Sequence, residues 1–299
     1  MTWKGIVPFR FGSQGFDSPH CGIGSYDWHA YDNTAKCGDV AEGHHCTMVV
    51  CRPKKKDGVR VWKCLATASV AMKNDSQDKQ IVFGLVANMV STTYNAFDFH
   101  WTTSSQVKAA EDAGKNASGL IIIEIYESVI ADLSDPQNLL VKNEADRARI
   151  HLGGKDLWLS KQVLRFHSSF FDAMFRKHKH GEEPYDVCGT NLDEFLHFLM
   201  LVYDWDIEPD EDTVEYLLKL SKTFHCKTVA QRCEDFMKNA KRKSLPLAKK
   251  LHLADTYKLR RVLVETICET PTEEWKHISW KDELSETAKD LITQKLSLC

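Results

Sequence analysis

Residues 147–239 constrain this chain more than any other stretch, and the run Ile150-His-Leu-Gly-Gly-Lys-Asp-Leu-Trp-Leu-Ser-Lys-Gln-Val-Leu164 is its densest part. Two strand-like runs, 150–152 and 156–159, flank Gly153-Gly154-Lys155. A Gly-Gly junction between apolar runs predicts a tight hairpin, because glycine enters the positive-φ region at little cost. Ser160 is placed to cap a helix whose inner face carries Leu164, and His167-Ser-Ser-Phe-Phe-Asp-Ala-Met-Phe175 opens a second short helix. Beyond the charged loop Lys177-His-Lys-His-Gly-Glu-Glu-Pro184, Tyr185-Asp-Val187 reads as a strand returning to the sheet. Asn191 or Thr190 then caps a helix with Leu192, Phe195, Leu196, Leu199, Val202 and Tyr203 on one face. Val214, Leu217, Leu218 and Ser221 share a face on the next helix, and Val229, Cys233, Phe236 and Met237 on its partner. Helices around a small sheet define an α+β domain.

The order Gly-Gly-Lys, Leu-x-Leu-Ser-Lys, Val-Leu-x-x-His-Ser-x-Phe-Phe, Leu-Asp-Glu-Phe, and then a helical pair from Glu215 to Phe236, resembles a BTB (POZ) domain over its whole length. Within that family it is most similar to the domains of the nematode-type BTB–MATH group. The resemblance implies self-association through apolar helix faces such as Leu164, Phe170 and Phe171. Many BTB domains carry an Asp just before the first strand, in a charged pocket between subunits; here Arg147 stands there and Asp146 one residue earlier. The resemblance also implies docking on the cullin-3 scaffold of a ubiquitin ligase. The hydrophobic-x-Glu motif of cullin-binding members maps onto Phe195-Leu196-His197, where His197 replaces the acid. Packing of Phe195 inside the domain is an equal reading of the same residues. From Ser244 onward three further helical patterns follow, and in BTB families such an extension is a 3-box or the start of a BACK region.

The first half has another periodicity. In the run from Val59 to Met72, residues Trp62, Cys64, Ala66, Ala68, Val70 and Met72 fall on one face, a period of two that suits a strand and not an amphipathic helix. Tyr26-Asp-Trp-His-Ala-Tyr31, Cys46-Thr-Met-Val-Val-Cys51, Lys79-Gln-Ile-Val-Phe-Gly-Leu-Val86 and Gly119-Leu-Ile-Ile-Ile-Glu-Ile-Tyr-Glu127 add strands. Asp57-Gly58 suggests a hairpin turn between the Cys46–Cys51 and Val59–Met72 runs. Residues 1–26 hold five glycines with Pro8 and Pro19, so an irregular opening is expected. Many strands with hardly any helical period before Asp135 predict an all-β sandwich. Asp27-Trp28, the Trp62-x-Cys-x-Ala-x-Ala strand and the closing Leu-Ile-Ile-Ile-Glu-Ile run resemble a degenerate MATH (meprin and TRAF homology) domain. In MATH domains a client peptide lies along a shallow groove on one sheet, and Tyr94, Phe97, Phe99 and Trp101 are the positions this implies. Alternating aromatics are also ordinary sandwich core.

The expected layout is a MATH-like sandwich over 1–133, a polar linker over 134–145, a BTB domain over 146–243 and a helical extension over 244–299. The net charge is −3 and is spread evenly over both halves, which argues against a nucleic-acid surface. No apolar run approaches the ~20 residues of a membrane span. Ten cysteines behind an opening without a signal-peptide core read as reduced thiols, hence a cytoplasmic or also nuclear setting. Gly153-Gly154-Lys155 lacks the further Gly and the Ser or Thr of a phosphate-binding loop, and no nucleophile motif appears, so no enzyme and no cofactor is expected. The resulting reading is a homodimeric substrate adaptor for a cullin-3-type ligase. The alternatives are a BTB scaffold that meets no cullin and, less favoured, a zinc module on His20, Cys21, Cys37, His44, His45, Cys46 and Cys51. The last of these predicts about one zinc per purified chain and loss of fold on chelation, read by metal analysis and circular dichroism.

Overall fold

The computed structural model describes residues 2–10, 17–32, 44–54, 58–74, 77–90, 95–102, 118–177, 184–205, 207–240, 244–276 and 284–297. It divides into two compact units, Met1–Leu139 and Leu140–Cys299.

Among the described residues the regular elements of the first unit are all strands: β1 (Trp3–Arg10), β2 (Cys21–Ile23), β3 (Tyr26–Asp32), β4 (His44–Pro53), β5 (Arg60–Asn74), β6 (Gln77–Val90), β7 (Asn95–Thr102) and β8 (Ser118–Asp132). They form two sheets of order β1-β8-β5-β6 and β2-β3-β4-β7. The period-two reading of β5 holds where the strand packs inward, with Trp62, Cys64, Ala66 and Ala68 all buried. Both sheets feed one core cluster: Val7, Ile121, Ile123 and Trp62 come from the first, Tyr26, Trp28, Val49 and Cys51 from the second. The Tyr26 hydroxyl crosses between them, donating to the Lys63 carbonyl at 3.1 Å and accepting from Ser128 Oγ at 2.9 Å. Burial pushes that phenol far above its ordinary pKa, so it stays a neutral donor.

Two expectations need correction. The opening is not wholly irregular, because β1 pairs with β8 along its full length, from Trp3↔Ile125 to Arg10↔Ser118, and sends Val7 and Phe9 into the core. Pro8 is tolerated because β1 is an edge strand, where a missing N–H breaks no ladder. Nor does Asp57-Gly58 close a hairpin: β4 pairs with β3 and β7, β5 with β6 and β8, so the chain changes sheets there. Gly58 has φ +88°, and a Cβ at that position would meet Asp132 Oδ1 at 2.8 Å.

The second unit is the expected α+β domain. Strands β9 (Arg147–Leu152) and β10 (Lys155–Ser160) form the hairpin, with Gly153 at φ +56° and Gly154 at +74°; β11 (Tyr185–Asp186) joins β9 in parallel. The helices are α1 (Lys161–His167), α2 (Ser169–Lys177), α3 (Leu192–Val202), α4 (Val214–Thr223), α5 (Lys227–Asn239), α6 (Leu247–Thr256), α7 (Arg260–Glu269) and α8 (Glu286–Ser297). Ser160 Oγ accepts from Val163 N at 3.1 Å, and Asn191 Oδ1 from Asp193 N at 2.8 Å, so both expected caps form. Helices α3, α4 and α6 end without glycine. Asp204, His225 and Lys258 take φ of 56°, 49° and 58°, and the next residues, Trp205, Cys226 and Leu259, bury their side chains while their N–H groups return to Met200, Ser221 and Ala254 carbonyls. Polar groups clasp the last helix. Asp255 accepts from Ser285 N at 2.6 Å at its start, and Lys295 Nζ lies 2.6 Å from each of the Ile267, Cys268 and Thr270 carbonyls at the end of α7.

Phe224 is the hub of this unit, its ring centroid 5.2 Å from those of Phe171 and Phe198, 5.3 Å from Phe170 and 5.7 Å from Phe195. Truncation to alanine removes one side of every pair. Phe224→Ala is expected to lower stability by about 3–5 kcal/mol, measured by urea unfolding of the second unit within the intact chain.

Candidate interaction surfaces

Helix α3 carries the residues tied above to a cullin, and the structure separates them. Phe195 is 0% exposed, packed between Phe198 and Phe224, and Leu196 is buried beside it. The expectation that Phe195 anchors a partner is therefore corrected: the aromatic belongs to the domain core, because phenylalanines from α2, the end of α4 and α3 itself enclose it. Met200 and Leu201, off the face read from the periodicity, are buried as well, so the C-terminal half of α3 is surrounded on all sides. His197 is half-buried, with its Nδ1 2.9 Å from the Tyr216 hydroxyl on α4. Desolvation lowers the His197 pKa against the pull of Asp210 and Asp193. The solvent side of this helix start is thus polar: Asp193 is exposed, and Glu194 and His197 are partly so.

The residues assigned to a dimer face divide in the same way. Leu164 and Phe171 are buried in the monomer, which corrects their assignment, and Phe170 is half-buried with its ring 5.3 Å from Phe171 and Phe224. Arg147 binds Glu144 at 2.9 Å and lies 5.1 Å over the Trp158 ring. Asp146 instead turns to the start of α1, where its Oδ1 accepts from Gln162 N at 2.8 Å. The outward apolar residue of α1 is Phe166, 83% exposed, which the sequence reading passed over. Its signal was present: two residues past the inward Leu164, a helix has turned by about 200°.

In the first unit Tyr94 lies outside the described residues. Phe97 pairs with Val49, itself paired with Ala30, and both of these are buried in the core. Positions 97, 99 and 101 fall at alternate places along β7, the strand that pairs with β4. Of the proposed zinc ligands, Cys37 lies outside the described residues and Cys51 is buried among apolar side chains, its thiol pushed up by burial and by Cys64 beside it. His20 stacks on His29 at 4.6 Å, and each bonds an acid, His20 to Asp27 at 3.3 Å and His29 to Asp17 at 2.5 Å. No group of three or more metal-ligating side chains is gathered among the described residues, and none of their helices is long and apolar enough to cross a membrane.

Residues 145–241 match the family model described as the BTB/POZ domain, covering β9 through α5. The chain is also 26% identical over 181 residues to the BTB and MATH domain-containing protein 36 of Caenorhabditis elegans; the aligned stretch is 58% of this chain and 54% of that protein. The chain thus spans about half the length of the curated relative it matches.

His197 has a counterpart in His167, whose Nδ1 lies 3.0 Å from Thr228 Oγ1 and whose pKa is lowered by burial against Asp204. Both groups take up a proton less readily folded than unfolded, where the ordinary value is 6.5. Their contribution is therefore intact above pH 6.5 and is lost as the pH falls below it. A His167→Gln/His197→Gln variant is expected to lose less melting temperature than the parent between pH 7 and pH 5, followed by circular dichroism.

Proposed function

We propose, from the BTB/POZ domain at residues 145–241 as premise, that this chain is a substrate-recruiting adaptor of a cullin-3-type ubiquitin ligase. The BTB domain dimerises and docks on the cullin, and the first unit, taken as a MATH-like sandwich, holds a client peptide. The observation that carries the reading is the BTB/POZ match followed directly by the helices α6, α7 and α8, the order of an adaptor with a 3-box extension. The shared core of the two sheets and the relative named for both BTB and MATH domains support the sandwich. The chain performs no chemistry in this scheme; ubiquitin transfer belongs to partner enzymes in the cytosol or nucleus. A dimer presents two client sites to one assembly, so weak peptide contacts gain by effective concentration.

With Phe195 withdrawn into the core, the cullin contact falls to the polar start of α3: Asp193, Glu194 and His197. The dimer face falls to α1 around Phe166, since an exposed aromatic of this size is costly to leave in water. The buried Phe195 and the missing acid at 197 also favour a second reading, a BTB scaffold without a cullin. Isothermal titration of the intact chain with the N-terminal domain of cullin-3 separates the two. The adaptor gives saturable binding that an Asp193→Lys/Glu194→Lys variant loses; a folded dimer that gives no heat is the scaffold. In either case Phe166→Asp is expected to weaken self-association at least about tenfold by sedimentation equilibrium.

A further inference from the structure

The second unit carries an open cleft of about 420 Å³ that neither the cullin contact nor the dimer face uses. It lies where the turn between α4 and α5 meets the turn between α6 and α7. Its floor is apolar, made by Leu218, Cys226, Ala230 and Leu259. Its rim is cationic: Lys222 closes α4, Lys227 opens α5, and Lys258 follows α6. Lys258 has a partial counter-charge in Asp255 at 4.0 Å, but that carboxylate is already engaged by Ser285 N and Oγ, at 2.6 and 2.5 Å. Lys222 and Lys227 have no ion pair among the described residues. Two of the three left-handed non-glycine residues among the described residues, His225 and Lys258, line this same cleft, so the chain holds polar side chains at its rim against a backbone preference for glycine.

An apolar floor under unanswered positive charge selects its occupant. A basic segment would be repelled by three lysines, a purely apolar one would leave them facing it uncompensated, and a polar one would gain nothing from the floor. We propose that this cleft is a docking site for a short acidic segment of a partner protein, one or two large apolar side chains entering the floor and flanking Asp or Glu residues meeting Lys222, Lys227 and Lys258. The volume is in the range of about 300–1,000 Å³ usual for built ligand sites, and its open side accommodates a continuing chain. The proposal rests on none of the residues assigned to the cullin or the dimer.

Fluorescence anisotropy on the intact chain tests it with three labelled synthetic peptides of twelve residues. One has a central Leu-Phe pair among glutamates, one replaces the glutamates with lysines, and one replaces Leu-Phe with serines. The acidic apolar peptide is expected to saturate and to weaken as salt rises, and the other two to bind at least about tenfold more weakly. Lys222→Glu/Lys227→Glu should cost about tenfold or more, and Ala230→Trp, which fills the floor, should abolish binding. Lys219→Glu, exposed on α4 outside the cleft, should leave it unchanged. Absence of saturable binding, equal or tighter binding of the lysine peptide, or indifference to the Lys222/Lys227 reversal in a variant with native circular dichroism overturns the proposal.

Discussion

The ring of Phe224 holds the second unit together. It lies just past the end of α4, and phenylalanines from α2 and α3 meet it from several directions, at tilted, stacked and edge-on angles that suit aromatic quadrupoles. Burial of this size fixes where α3 passes, and an α3 enclosed in its C-terminal half leaves only its polar start for outside contacts. The surface chemistry of the domain is in this sense a remainder, what the aromatic packing did not consume.

The second unit's architecture was legible because its signals are local. Two glycines at positive φ make the hairpin, Ser160 and Asn191 cap their helices through side-chain oxygens, and the three- and four-residue spacing marks which faces of α4 and α5 turn inward. The site was less legible, and for one reason. A large apolar residue reads alike in sequence whether it anchors a partner or fills a core, and only three-dimensional packing distinguished the buried Phe195 and Phe171 from the exposed Phe166. The helix ends were unmarked too, since Asp204, His225 and Lys258 occupy positions usually announced by glycine.

In the first unit the strands were legible and their pairing was not. Period-two alternation located β5 and an apolar run located β8, but strand partners are set by contacts far apart in sequence, such as Arg60↔Asp132, which no local pattern reports. The Asp57-Gly58 expectation failed on this ground. Its chemistry fits a hairpin, while the sheet order required the chain to leave one sheet for the other. The glycine-rich opening failed in the opposite direction, because eight cross-strand partners on β8 outweighed the weak local preference of Gly5 and Pro8.

The left-handed turns at His225 and Lys258 bear on how this protein can be engineered. Glycine at either position would relieve the backbone, by roughly 1 kcal/mol each on general grounds. These would be natural first substitutions for a thermostable variant, since the side-chain contacts given up are long, 3.4 Å from His225 Nδ1 to Ser169 Oγ and 4.0 Å from Lys258 Nζ to Asp255. Both sit on the rim of one cleft, so a stabilised chain would be altered at the surface where a partner is received, a trade of robustness against recognition confined to two codons.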